Sequence, residues 1–185
     1  MQQYQIGPAT LELVEGDIVA QTTDAIVNAA NEHLAQGSGV CGAIFRAAGP
    51  RDLARACDQV GPCPTGEARI TPGFKLSARY VIHAVGPVYR RKDPEGSARL
   101  LAGAYRSSLA LAEQHGLQSI SFPSISTGVY GYPLHEAAMV ALAAVREALA
   151  AQHVRLVRLV LWGRESYDAH LATAQALERE YREGT

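Results

Sequence analysis

Large aromatic side chains are scarce in this chain of 185 residues. Tryptophan occurs once and phenylalanine three times, so the core must be built mainly from aliphatic groups, and Trp162 stands out. Cysteine is also sparse. Cys41, Cys57 and Cys63 make an odd number without CxxC spacing, which excludes a disulfide framework and predicts a reducing, cytoplasmic setting. No apolar run approaches the roughly 20 residues of a membrane span. The opening stretch MQQYQIGPATLEL has no basic segment before an apolar block, so no secretory signal is expected. An excess of charge of one sign is absent too. With 17 basic and 18 acidic residues the formal net charge is -1, and nothing in that balance recruits nucleic acid or an anionic membrane. The short basic run Arg90-Arg91-Lys92 reads as a solvated loop. His135-Glu136 begins like HExxH, but Met139 stands where the second histidine belongs. No metal site is predicted, and no bound cofactor. Repeats, low-complexity tracts and linkers are lacking, which predicts a single domain over residues 1–185.

What is present alternates in type. Short apolar segments at 10–14, 24–28, 67–71, 79–85, 118–122 and 156–161 read as strands. Continuous runs such as AIV, YVI and LVLW indicate strands covered on both faces. Between them lie helical patterns at 40–48 and 51–59, either one helix interrupted at Gly49-Pro50 or two short ones. Further helices are expected at 97–115, where Leu101, Ala104, Tyr105, Ser108 and Ala112 share a face, and at 133–151, with Leu134, Ala138, Leu142, Val145 and Leu149 on one stripe. A last helix is expected over about 166–182, ending at Gly184, with Ser97 and Ser166 as helix caps. The alternation predicts an α/β fold, a three-layer α/β/α sandwich. The short link between 67–71 and 79–85 makes that pair antiparallel and the central sheet mixed.

In such sheets ligands bind beyond the carboxyl ends of the strands. Two glycine-rich turns leave those ends and run into helices. One is QGSGVCG at 36–42, and the other is ISTGVYG at 125–131. Gly37, Gly39, Gly128 and Gly131 let backbone approach a ligand closely, and successive N–H groups before a helix suit phosphate. The lysine of a P-loop is missing. Two such turns on one edge point to a diphosphate. Asn28 reads as a turn residue capping backbone with its amide. Asn31 lies further into the loop, where its amide can both donate and accept, which suits a sugar hydroxyl pair. Asp17 either caps a turn or accepts from an exocyclic amine. Trp162, where a strand ends, either packs under a helix or offers a stacking platform for a base.

Taken in order, GDI, DAIVNAAN, GSGVCGAIFRAAGP, GEARITPGFKL, RYVIHAVGP and FPSISTGVYGYP resemble a macrodomain, the ADP-ribose-binding fold, from about Leu11 to the last helix. The resemblance implies that Asp17 binds the adenine amine with help from the backbone of Ile18, and that Trp162 stacks on adenine. It implies that Gly37, Gly39, Val40, Cys41 and Gly42 at the helix start meet the diphosphate and distal ribose. Ser126, Thr127, Gly128, Val129 and Tyr130 match the second phosphate loop, with Tyr130 against the distal ribose. Asn31 matches the asparagine that orients the distal ribose hydroxyls. The chain departs from the pattern of MacroD-type hydrolases, whose helix begins GVDGAIH. Here Cys41 replaces the aspartate, Phe45 replaces the histidine, and Ser38 interrupts an all-glycine run.

The resemblance implies partners, ADP-ribose and ADP-ribosylated proteins, met by a monomer. The expected reaction is hydrolysis at the distal ribose, of mono-ADP-ribose on acidic side chains or of O-acetyl-ADP-ribose. Asn31 and the phosphate loops would supply positioning, and a substrate phosphate would take the proton from water. Cys41 is either a weak catalytic candidate, needing activation as a thiol, or a small space-filler beside the ribose. Two alternatives stay open: a reader module that binds ADP-ribose without turnover, and removal of phosphate from ADP-ribose 1″-phosphate.

Overall fold

A computed structural model describes residues 1–151 and 153–183. One seven-stranded sheet carries the fold, in the order β1-β2-β7-β6-β3-β5-β4. The strands are β1 (Gln2–Ile6), β2 (Ala9–Glu15), β3 (Ala25–Ala29), β4 (Ala68–Pro72), β5 (Tyr80–Ala84), β6 (Ser119–Phe122) and β7 (Leu156–Leu161). The five inner strands run parallel. Both edge strands, β1 and β4, are antiparallel to their neighbours, so the sheet is mixed. β1 is the strand that sequence reasoning missed. Its QQYQI composition is polar, and only Tyr4 and Ile6 turn inward against the core, too short an alternation to register.

Alternation along the strands divides the interior in two. Ala25 and Val27 of β3, Ile82 and Ala84 of β5, and Leu159 and Leu161 of β7 face one layer. That layer holds α3 (Pro94–Gln114), α4 (Leu134–Ala151) and α5 (Arg164–Glu183). Ile26, Val81 and Val160 point the other way, toward Ile44, Phe45, Leu53 and Cys57. Those belong to α1 (Gly39–Ala48) and α2 (Pro50–Val60), two helices broken at Gly49, which takes φ 104°. The expected three layers are present.

The cap assignments need correction. Asp93, not Ser97, caps α3, accepting from Gly96 N at 2.9 Å. Ser97 lies inside the first turn, where its hydroxyl accepts from Arg90 N. Ser166 lies within α5, with a buried hydroxyl that has no partner among the described residues. Gly184 lies outside the described residues. Among those described, no helix is long and apolar enough to cross a membrane.

A two-walled cleft at the carboxyl ends of the parallel strands

Parallel strands put their carboxyl ends on one edge, so the loops after β2, β3, β5, β6 and β7 converge there. Two of them wall a cavity of about 340 Å3. The first wall is the β3–α1 loop. Ala30 N donates to Ala84 O, which carries strand pairing one residue beyond β3. Asn31 then folds its amide onto its own loop: Oδ1 accepts from Ala35 N at 3.1 Å and Nδ2 donates to Ala35 O at 2.9 Å. Each end of the amide keeps one further bonding capacity. At the start of α1, Ser38 makes no side-chain cap. The first N–H groups of a helix have no partner within it, and Gly39, Val40 and Cys41, which carry them, line the cavity together with Gly37.

The second wall is the β6–α4 loop. Ser126, Gly128, Val129 and Tyr130 line it. Ser126 is held at φ 66°, a conformation that disfavours residues other than glycine, and its buried hydroxyl has no partner among the described residues. Bonds from Gly131 N to Gly128 O and from Tyr132 N to Ser126 O close the turn. Gly86, after β5, lies beneath. A Cβ on Gly86 would overlap the Ser126 hydroxyl and the Ile125 side chain, so only glycine permits this approach. Gly86, Ser124 and Ile125 escaped the sequence reading, although Gly86-Pro87 after a buried strand was a signal for a close approach.

The remaining predicted residues lie around this cavity rather than in its lining. Thr127 turns inward, donating to Ser124 O and Oγ. Gly42 sits behind the first wall, where an added Cβ would come 2.6 Å from Gly37 O. Asp17, Ile18 and Trp162 are at the ends of β2 and β7, which Gly16 N ties together by donating to Leu161 O. Asp17 caps a short turn of helix by accepting from Val19 N at 3.1 Å. Ile18 is buried, and Trp162 is 74% exposed, so packing under a helix is not its role.

Asn28 is not a turn residue. It lies in β3 in register with His83 of β5, and it is 1% exposed. Its Nδ2 donates to His83 Nδ1 at 3.1 Å and approaches Cys41 Sγ at 3.7 Å. His83 Nε2 then donates to Thr71 Oγ1 at 2.9 Å. Burial pushes the His83 pKa down to about 4, so the ring is neutral and the amide bond fixes the tautomer. Burial likewise pushes the neighbouring Cys57 thiol up to about 12, and it stays protonated. Cys41 Sγ accepts from Gly37 N at 3.3 Å. The thiol therefore pins the first wall to its helix.

Comparison with known proteins now decides the family. The Macro domain model matches residues 27–141. A macro domain-containing protein of Chlorobaculum tepidum is 54% identical over 140 residues, 76% of this chain and 80% of that protein. The chain belongs to the macro domain family. The solved Oceanobacillus iheyensis macrodomain with ADP is similar at TM-score 0.92 and 45% identity, covering 97% of both chains. A Trypanosoma brucei macrodomain in complex with ADP-ribose is similar at TM-score 0.82 and 40% identity, covering 89% of this chain and 68% of that one. Among the described residues that line the 340 Å3 cavity of this macro domain there is no aspartate, glutamate or histidine, while Cys41 and Tyr130 bring a thiol and a phenol.

Proposed function

We propose that this macro domain binds ADP-ribose in the cleft and hydrolyses mono-ADP-ribose from acidic side chains of proteins, with O-acetyl-ADP-ribose as a chemically related substrate. One observation carries the reading. The uncapped start of α1 and the strained Ser126 turn face each other across a single cavity, and each offers N–H groups suited to a phosphate. The macrodomains described with ADP and with ADP-ribose support it. In this reading Asp17 and Trp162, at the adjoining strand ends, meet adenine, and Asn31 and Tyr130 meet the distal ribose. Water adds at the anomeric carbon, the bond to the carboxylate oxygen breaks, and the carboxylate leaves. A substrate phosphate oxygen takes the proton, since no carboxylate or imidazole among the described residues lines the cavity. The three cysteines are unpaired, in keeping with action in a reducing cytoplasm.

That same lack of a carboxylate or imidazole favours a second reading, a reader that binds ADP-ribose without turnover. The test uses a glutamate-linked mono-ADP-ribosylated protein beside an Asn31→Ala control, with calorimetry against free ADP-ribose. Release above the control supports the hydrolase. Tight binding without release leaves the reader, and no measurable affinity for ADP-ribose overturns both.

A further inference from the structure

Tyr130 stands between two cavities. It lines the 340 Å3 cleft, and with Asn31 and Gly86 it also lines a second chamber of about 530 Å3. Thr65, Val88 and Leu100 are among the other walls of that chamber. The posture of Tyr130 therefore decides where one space ends and the other begins.

Its own loop does little to fix that posture. The bonds that close the β6–α4 turn, Gly131 N to Gly128 O and Tyr132 N to Ser126 O, bracket Tyr130 and pass it by. Among the described residues Tyr130 enters one hydrogen bond, and the donor comes from another loop. Tyr89 N donates to Tyr130 O at 2.9 Å.

Tyr89 belongs to the segment between β5 and α3, which is tied down on both sides of it. Gly86 lies under the Ser126 hydroxyl, so closely that no Cβ fits. Arg90 N donates to Ser97 Oγ at 3.1 Å in the first turn of α3. Between these anchors the Tyr89 side chain reaches the start of α4. Its ring packs on buried Tyr132, with centroids 4.8 Å apart and planes at 53°, within the range of roughly 4.5–7 Å that aromatic pairs favour. Its hydroxyl donates to Glu136 Oε2 at 3.1 Å in the first turn of α4. One residue thus grips positions 130, 132 and 136 with its N–H, its ring and its hydroxyl. None of these contacts reaches residues 126–129, the part of the turn that meets the diphosphate in the reading above.

We propose that Tyr89 is a positioning residue for Tyr130, and through it makes the cleft prefer a nucleoside diphosphate that carries a second ribose over the bare diphosphate. The proposal rests on the ADP-ribose reading, in which Tyr130 meets the distal ribose. Held by Tyr89, Tyr130 is ordered before the sugar arrives. Released, it must become ordered as the ligand binds, which weakens binding. ADP lacks the distal ribose and escapes that penalty.

The test measures ADP-ribose and ADP by calorimetry on the same preparations. Tyr89→Ala is expected to weaken ADP-ribose by about tenfold and to leave ADP within about twofold. Tyr89→Phe keeps the ring and the N–H and loses only the Glu136 bond, so a loss of about threefold is expected, again confined to ADP-ribose. It carries the same comparison if the alanine variant does not fold. A double-mutant cycle separates positioning from a general structural role. In a Tyr130→Ala background, either change at Tyr89 is expected to alter ADP-ribose affinity by less than about twofold. An equal loss for both ligands overturns the proposal, because it signals collapse of the whole second wall. Unchanged ADP-ribose affinity in both variants also overturns it, as does a loss that persists in full without the Tyr130 ring. Absence of ADP-ribose binding in the parent protein is a distinct outcome, which removes the reading of the cleft as well.

Discussion

The Asn28 amide nitrogen on β3 stands 3.1 Å from His83 Nδ1 on β5, one strand over and in the same register. This is a polar pair sealed beneath α1 and α2, and it reaches Cys41 on one side and Thr71 on the other. Removing the amide strands a buried ring nitrogen. Asn28→Ala is therefore expected to lower stability by about 1–3 kcal/mol, read as a shift in the urea midpoint. It is also expected to speed alkylation of the Cys41 thiol as the helix start loosens.

The same ring sets a pH dependence. Its folded pKa, about 4, lies below the 6.5 of an unfolded histidine, so the unfolded chain binds the proton more readily. Stability is then fully present above about pH 6.5 and is lost as pH falls toward 4. The size is on the order of 3 kcal/mol. His170, which burial also depresses, adds in the same direction. Denaturation midpoints from pH 4 to 7 should rise steadily in the parent protein. His83→Gln, which cannot titrate, should show a flatter profile.

Much of the fold was legible because its signals are local. Apolar runs such as AIV and YVI marked strands buried on both faces, and the short link before β5 fixed the antiparallel edge. The misses were cases that only tertiary placement settles. Asn28 has the composition of a turn, but pairing with β5 holds it in a strand. Ser97 looked like a cap, and the cap is Asp93, four residues earlier. For the site, glycine turns revealed the two walls. The second chamber draws on five separate segments, and no motif in the sequence announces it.

Gly86 permits the closest approach in the cleft. Gly86→Ala would drive a Cβ into the Ser126 hydroxyl and Ile125, displacing the turn that faces α1. Overpacking of this kind costs about 1–3 kcal/mol. We expect ADP-ribose affinity to fall by at least about tenfold in calorimetry.

Cys41 is 6% exposed and accepts from Gly37 N, the bonding of a fastener. Cys41→Ala should therefore keep turnover within a few-fold while lowering stability by about 1 kcal/mol. Cys41→Asp places a carboxylate where Gly37 N and the Asn28 amide already point at the thiol. As a general base it is expected to raise turnover by about a hundredfold or more, measured on the glutamate-linked substrate.

Trp162→Ala should leave the melting temperature nearly unchanged, since the ring is 74% exposed, and should weaken ADP-ribose by about 1–3 kcal/mol through lost stacking.

Trp162 is also the sole tryptophan, and this gives the protein an unusual optical property. Indole emission from this chain originates at an exposed ring just after β7 and not in the interior. It already comes from a wetted ring before unfolding, so it changes little on denaturation. An adenine laid against it should quench it. Fluorescence at tryptophan wavelengths is therefore expected to serve as a titration signal for nucleotide and to be a poor record of melting, for which backbone circular dichroism is the sounder choice.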